Sequence, residues 1–150
     1  MTKKSPAVIL WSWLLVGTLD LTAAMIQTVL ANGNIQRLFQ FIASGALGKE
    51  AFDGGWTTAI YGVVFHYIIA FTWTIVFFVL YSALNLARFN KILVGICYGV
   101  VIWFVMNRIV LPFSNITMRP FDPTKALIAA SILIVAIGIP LSFIARRGRV

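Results

Sequence analysis

The sequence predicts an all-α polytopic membrane protein, with four transmembrane helices in a bundle and a short interfacial helix in the first outer loop. Three observations predict it. Hydrophobic residues make up 61% of the 150 residues and charged residues only 11%, whereas a soluble domain is nearer half apolar and a quarter charged. A fold this small cannot hide that much apolar surface from water. Four stretches carry the run of about 20 apolar residues that a helix needs to cross the hydrocarbon core. Between the first and second of these lies a shorter stretch in which apolar residues recur at helical spacing. None of the long stretches alternates as barrel strands do, and lipid admits only helices and closed barrels. The chain reads as one transmembrane domain, residues 1–150.

The first span covers about residues 7–30, interrupted only by Asp20 and Gln27. Lys3 and Lys4 precede it as in a signal peptide. It is nevertheless too long for such a segment, and no small-residue cleavage site follows, so it is expected to stay as a helix. Residues 34–44 form the interfacial helix: Asn34 suits the N-cap, and Ile35, Leu38, Phe39 and Ile42 recur on one face with Gln36, Arg37 and Gln40 between them. Gly45, Gly48, Gly54 and Gly55 punctuate the approach to the second span, about residues 56–80, which contains His66. The third span covers about residues 92–111, with Asn107 and Arg108 near its end. Pro112, Pro120 and Pro123 are expected to keep the next connection non-helical. The fourth span, about residues 126–144, carries no charge.

The basic residues set the orientation. Lys3, Lys4, Arg88, Lys91, Arg146, Arg147 and Arg149 fall on one side, and Arg37, Lys49, Arg119 and Lys125 on the other. The bias puts both termini in the cytoplasm of an inner (plasma) membrane protein. The net charge of +8 is thus a topology signal rather than a nucleic-acid footprint, since the cations sit at chain ends and in short loops. The single cysteine, Cys97, falls mid-helix and cannot form an internal disulfide. One histidine cannot build a zinc site of several His and Cys ligands.

Intramembrane polar residues carry the functional signal. A carboxylate at the centre of a membrane helix costs roughly 2.5–3.5 kcal/mol on insertion scales, so it faces protein or water. Asp20 shares a small or polar stripe with Gly17, Ala24, Gln27 and Thr28. Gly62, His66 and Ala70 make a similar stripe on the second helix, Gly95, Gly99 and Asn107 on the third, and Ser131, Gly138 and Ser142 on the fourth. Gly17, Gly62, Gly95, Gly99 and Gly138 are expected to let helix backbones approach. From a rise of about 1.5 Å per residue, Asp20, His66 and Arg108 lie at roughly 20, 21 and 24 Å from the cytoplasmic ends. The expectation is a buried Asp20–His66–Arg108 cluster, with Asn107 and Ser131 completing its hydrogen bonds, able to carry protons. Each member also has a structural reading. Asp20 could serve only as an acceptor that fixes packing, His66 as a packing residue, and Arg108 could snorkel to the outer interface beside Pro112.

Several chemistries find no support. Gly45-Ala-Leu-Gly48-Lys49-Glu50 has neither the spacing of a P-loop nor the Ser or Thr after its Lys. No catalytic residues are assigned, because one His and one intramembrane Asp without an elbow motif do not make a triad. No metal or cofactor is predicted; a bis-His haem cannot form within one chain, although His66 could be a single axial ligand. The Asn115-Ile-Thr117 sequon reads as chance.

The stretch His66-Tyr-Ile-Ile-Ala-Phe-Thr-Trp-Thr-Ile-Val-Phe-Phe-Val-Leu-Tyr81 with the basic turn after it, the glycine-bearing third helix, and its exit Val110-Leu-Pro112-Phe-Ser-Asn resemble a family of small bacterial inner-membrane proteins, the YagU-like group. The loop Ile42 to Gly55 is similar to loops of other short bacterial membrane proteins. The resemblance covers about half the chain, and this first loop is shorter than is typical of the group. It implies an inner-membrane location and a link to acid tolerance, without a reaction.

Three functions stand as expectations. The first is a small transport or proton-handling protein using the polar cluster. The second is an accessory or structural subunit of a larger membrane complex. The third is a cofactor or lipid binder using His66. A non-enzyme is favoured, because few polar groups reach the core. The expected partners are the lipid bilayer and either a homo-oligomer or a larger membrane complex, because alternating access within one chain needs more helices or repeats. Nucleic acid is not an expected partner.

Overall fold

The computed structural model describes residues 5–116 and 121–147. Six α-helices make up the frame: α1 (Pro6–Leu30), α2 (Ile35–Leu47), α3 (Gly55–Ala83), α4 (Lys91–Val105), α5 (Pro123–Leu133) and α6 (Ile139–Arg147). No strand occurs among the described residues. α4 continues into a π-helical turn, Met106–Val110, and a second π turn, Ile134–Gly138, joins α5 to α6. Four helical stretches are long and apolar enough to cross a membrane: Pro6–Leu30, Gly55–Ala83, Lys91–Val110 and Pro123–Arg146. Large apolar side chains such as Trp11, Ile60, Val79, Phe104 and Leu127 are exposed along them. In water they would be a liability, and in lipid they are ordinary.

Local sequence explains where the helices start and stop. Asn34 accepts a hydrogen bond from Arg37 N at 3.1 Å and caps α2 as its position predicts. Asn90 does the same for α4, accepting from Ile92 N at 2.8 Å. Asn32 and Asn85, both with positive φ, turn the chain after α1 and α3. Pro123 departs from expectation. It opens α5 at the first helical position, behind an Asp122 N-cap. An N1 proline lacks only an N–H that the helix would not use. Pro120 lies outside the described residues.

The two π turns share a cause. Each ends two residues before a proline, Pro112 after Met106–Val110 and Pro140 after Ile134–Gly138. A helical proline clashes with the carbonyl four residues back and cannot donate to it. Those carbonyls belong to Arg108 and Ala136, inside the widened turns. The extra residue relieves the clash. It also rotates the next stretch of helix by about 100° relative to an unbroken one, one residue's share of a 3.6-residue turn.

The apolar core lies in the half of the molecule nearer the termini. Val16 of α1, Phe77, Phe78 and Tyr81 of α3, Tyr98 and Ile102 of α4, and Leu141 of α6 pack together there. Phe77 makes edge-to-face contact with Tyr98, with ring centroids 4.8 Å apart. The Tyr98 hydroxyl donates to the Trp73 carbonyl, joining α4 to α3 by a side chain absent from the sequence-level polar set. α4 and the last helix meet backbone to backbone. A Cβ on Gly99 would stand 2.6 Å from Ile134 Cα, and one on Gly95 would stand 2.8 Å from Ile139 Cα and N. A Cβ on Gly138 would collide with the Gly95 carbonyl.

The opposite end is built differently. α2 packs across the start of α3, so closely that a Cβ on Gly62 would overlap the Phe39 carbonyl. Its buried residues are Gln40, Ala43 and Ser44, while Ile35, Leu38, Phe39 and Ile42 remain half-buried. Gln40 Nε2 donates to Gly55 O at 2.9 Å, and Thr58 Oγ1 donates to Ala51 O at 2.6 Å. The loop after α4 closes this end. Asn115 donates from its backbone N to Gly45 O and from Nδ2 to Ala46 O, each at 3.1 Å. Two carbonyls in the last turn of α2 are thereby satisfied.

Candidate functional site

The polar seam between α1 and α3 lies beyond the apolar core, on the side of α2. Gly17 is its closest approach: a Cβ there would meet Ala70 Cβ and the Tyr67 ring at 3.2 Å. His66 Nε2 donates to the Gly17 carbonyl at 2.9 Å. Trp13 Nε1 donates to Tyr67 O at 2.7 Å, and Thr18 Oγ1 shares a 2.9 Å hydrogen bond with the Tyr67 hydroxyl. The Tyr67 ring stands edge-on to both Trp13 and His66, which fixes its position. Trp13, Thr18 and Tyr67 are missing from the sequence-level site because a Trp or Tyr in a membrane helix reads first as a packing or interfacial aromatic.

Asp20 follows Gly17 by one turn, is half-buried, and has its carboxyl within Coulombic range of the His66 imidazole. Among the described residues, nothing donates a hydrogen bond to that carboxyl, and it belongs to no ion pair. The bond from His66 Nε2 goes to the Gly17 carbonyl and not to Asp20.

The rest of the expected cluster does not assemble. Arg108 is exposed in the π turn, with its guanidinium carbon 5.5 Å from the centroid of the Phe121 ring. Asn107 Nδ2 donates to Trp103 O at 2.9 Å, within its own helix. Ser131 is exposed, and its hydroxyl donates to Leu127 O at 2.8 Å. The physical reason is the same on both helices. Counting at 3.6 residues per turn puts Asn107 with Gly95 and Gly99, and Ser131 with Gly138, but a π turn breaks each count. Gly62 does let a helix backbone approach, and that helix is α2.

The remaining pair has limited chemistry. A carbonyl can only accept, so His66 Nε2 carries a proton. Among the described residues no group of three His, Cys, Asp or Glu could hold a metal ion. Cys97 is exposed on α4. No protein-family model, no curated protein and no solved structure matches this chain.

Proposed function

We propose that the chain is a small proton-handling transport protein of the bacterial inner membrane, and that Asp20 and His66 are its titratable pair. In this reading the four spans form a bundle with both termini in the cytoplasm, and α2 lies along the outer interface. The charge bias supports the orientation, with seven cations on the terminal side against four on the other. The resemblance to the YagU-like group, with its link to acid tolerance, points the same way.

One observation carries the proposal. Asp20 sits within a membrane-spanning helix beside the only histidine of the chain, and among the described residues its carboxyl takes part in no hydrogen bond or ion pair. An intramembrane carboxylate is costly to keep. The cost has a return if the group takes up and releases protons. A cofactor role for His66 is less well supported, since its Nε2 is engaged by Gly17.

The test is proton flux into vesicles holding purified protein, read by an internal pH dye under an imposed gradient. Asp20→Asn should abolish the flux while leaving helicity and elution volume unchanged. A correctly folded Asp20→Asn protein with wild-type flux would sink the proposal.

A further inference from the structure

The end of the molecule that carries the termini is charged in one sense only. Among the described residues Arg88, Lys91 and Arg146 belong to it and no acidic residue does, because Asp20 lies within α1 while Glu50, Asp53 and Asp122 belong to the opposite end. The three cations lie where α4 begins and α6 ends. The Ser142 hydroxyl donates to the Lys91 carbonyl, pinning α6 against the first turn of α4. The Lys91 ammonium lies 3.9 Å from the centroid of the Phe143 ring, which holds a half-buried side chain in one place. Arg146 follows Phe143 by three residues, on the same face of α6, and is exposed. Arg88 precedes Lys91 by three residues, over the Phe89 ring at 5.0 Å, and is also exposed.

We propose that Arg88, Lys91 and Arg146 bind the phosphate headgroup of an anionic lipid in the leaflet facing the termini. Orientation in the membrane needs only a count of cations. It does not need an ammonium fixed on an aromatic ring with Arg146 on the same face of α6 as that ring and Arg88 three residues before Lys91 in the chain, a set of donors that suits phosphate oxygens. A lipid is favoured over a free anion by the surroundings. Phe89, Ile92 and Leu93 are exposed beside the cations and offer acyl chains an apolar wall. Basic pockets between membrane helices at this depth take such headgroups. Lipid binding at this end is independent of the proton reading and survives its failure.

Native mass spectrometry of the detergent-purified protein, given equal phosphatidylglycerol and phosphatidylcholine, tests it. The wild type should retain phosphatidylglycerol preferentially. Lys91→Gln should cut that preference about fivefold, the share of one basic contact at the surface, and Lys91→Arg should keep most of it. Lys125→Gln, at the other end, should leave the preference unchanged. Should Lys91→Gln fail to fold, Arg146→Gln is read the same way. Equal retention of the two lipids, an unchanged preference in the folded variant, or displacement of the lipid by excess inorganic phosphate would each overturn the proposal.

Discussion

His66 reaches from α3 to α1 and donates its Nε2 proton to the Gly17 carbonyl at 2.9 Å. The bond fixes one ring nitrogen as protonated whether the imidazole is neutral or charged. It therefore predicts the Nε2–H tautomer for neutral His66. Nitrogen-15 spectra of histidine-labelled protein should show Nδ1 as the unprotonated nitrogen at high pH. A neutral ring protonated at Nδ1 would show that this seam is assembled in another way.

The glycines between α4 and the last helix give a stability prediction. Gly95→Ala and Gly99→Ala each drive a Cβ into backbone, at 2.8 and 2.6 Å, and backbone cannot swing aside as a flexible side chain can. Each should cost about 1–3 kcal/mol, the usual range for overpacking. Gly45→Ala is the control: its Cβ would meet only Ile116 Cδ1, at 3.7 Å, inside α2. It should be neutral or stabilising by up to about 1 kcal/mol, the helix preference of Ala over Gly. Thermal unfolding in one detergent ranks the three variants.

Asn115→Ala should loosen the end of α2 without unfolding the protein. It removes the Nδ2 donor to Ala46 O and keeps the backbone bond to Gly45 O. The bond is exposed, so the loss should fall near the lower end of about 0.5–1.5 kcal/mol. Hydrogen exchange should rise over residues 45–52 and stay unchanged in α4.

Asp122 gives a dependence on pH at the start of α5. Its carboxylate accepts from Thr124 N at 3.0 Å and Lys125 N at 3.2 Å. The backbone N–H of Lys125 is the main reason its pKa is held below the ordinary 3.8, with the Lys125 ammonium adding to it. The folded form thus prefers the charged carboxyl. Its contribution is present above the unfolded value and is lost as pH falls through the depressed folded one. Exchange at the first turn of α5 should therefore quicken as pH drops below about 4, beyond the intrinsic rate change. In Asp122→Asn that extra acceleration should vanish.

The spans were legible because length and apolarity alone decide them. Asn34 was legible as a cap because the spacing to Arg37 N is local. The site was only half legible. Asp20 and His66 could be paired by depth, since neither α1 nor α3 contains a π turn. Asn107 and Ser131 could not be placed, because face counting assumes an unbroken turn, and the depth of Arg108 said nothing of the direction in which it points. Pro112 and Pro140 were the visible warning, but proline is read by habit as a stop rather than as a change of phase within a helix that continues. The side of α2 that packs inward was hidden for another reason. Its partner is the bare backbone around Gly62, which rewards small and polar residues over large apolar ones.

Val16 of α1 shares its core with Ala136, Ile137 and Leu141, from the second π turn and α6. The burial of α1 therefore depends on a helix more than a hundred residues further along the chain. Until α6 is in place, this face of α1 lacks part of its cover. A chain arrested before α5 would hold its spans in place and still lack a finished interior.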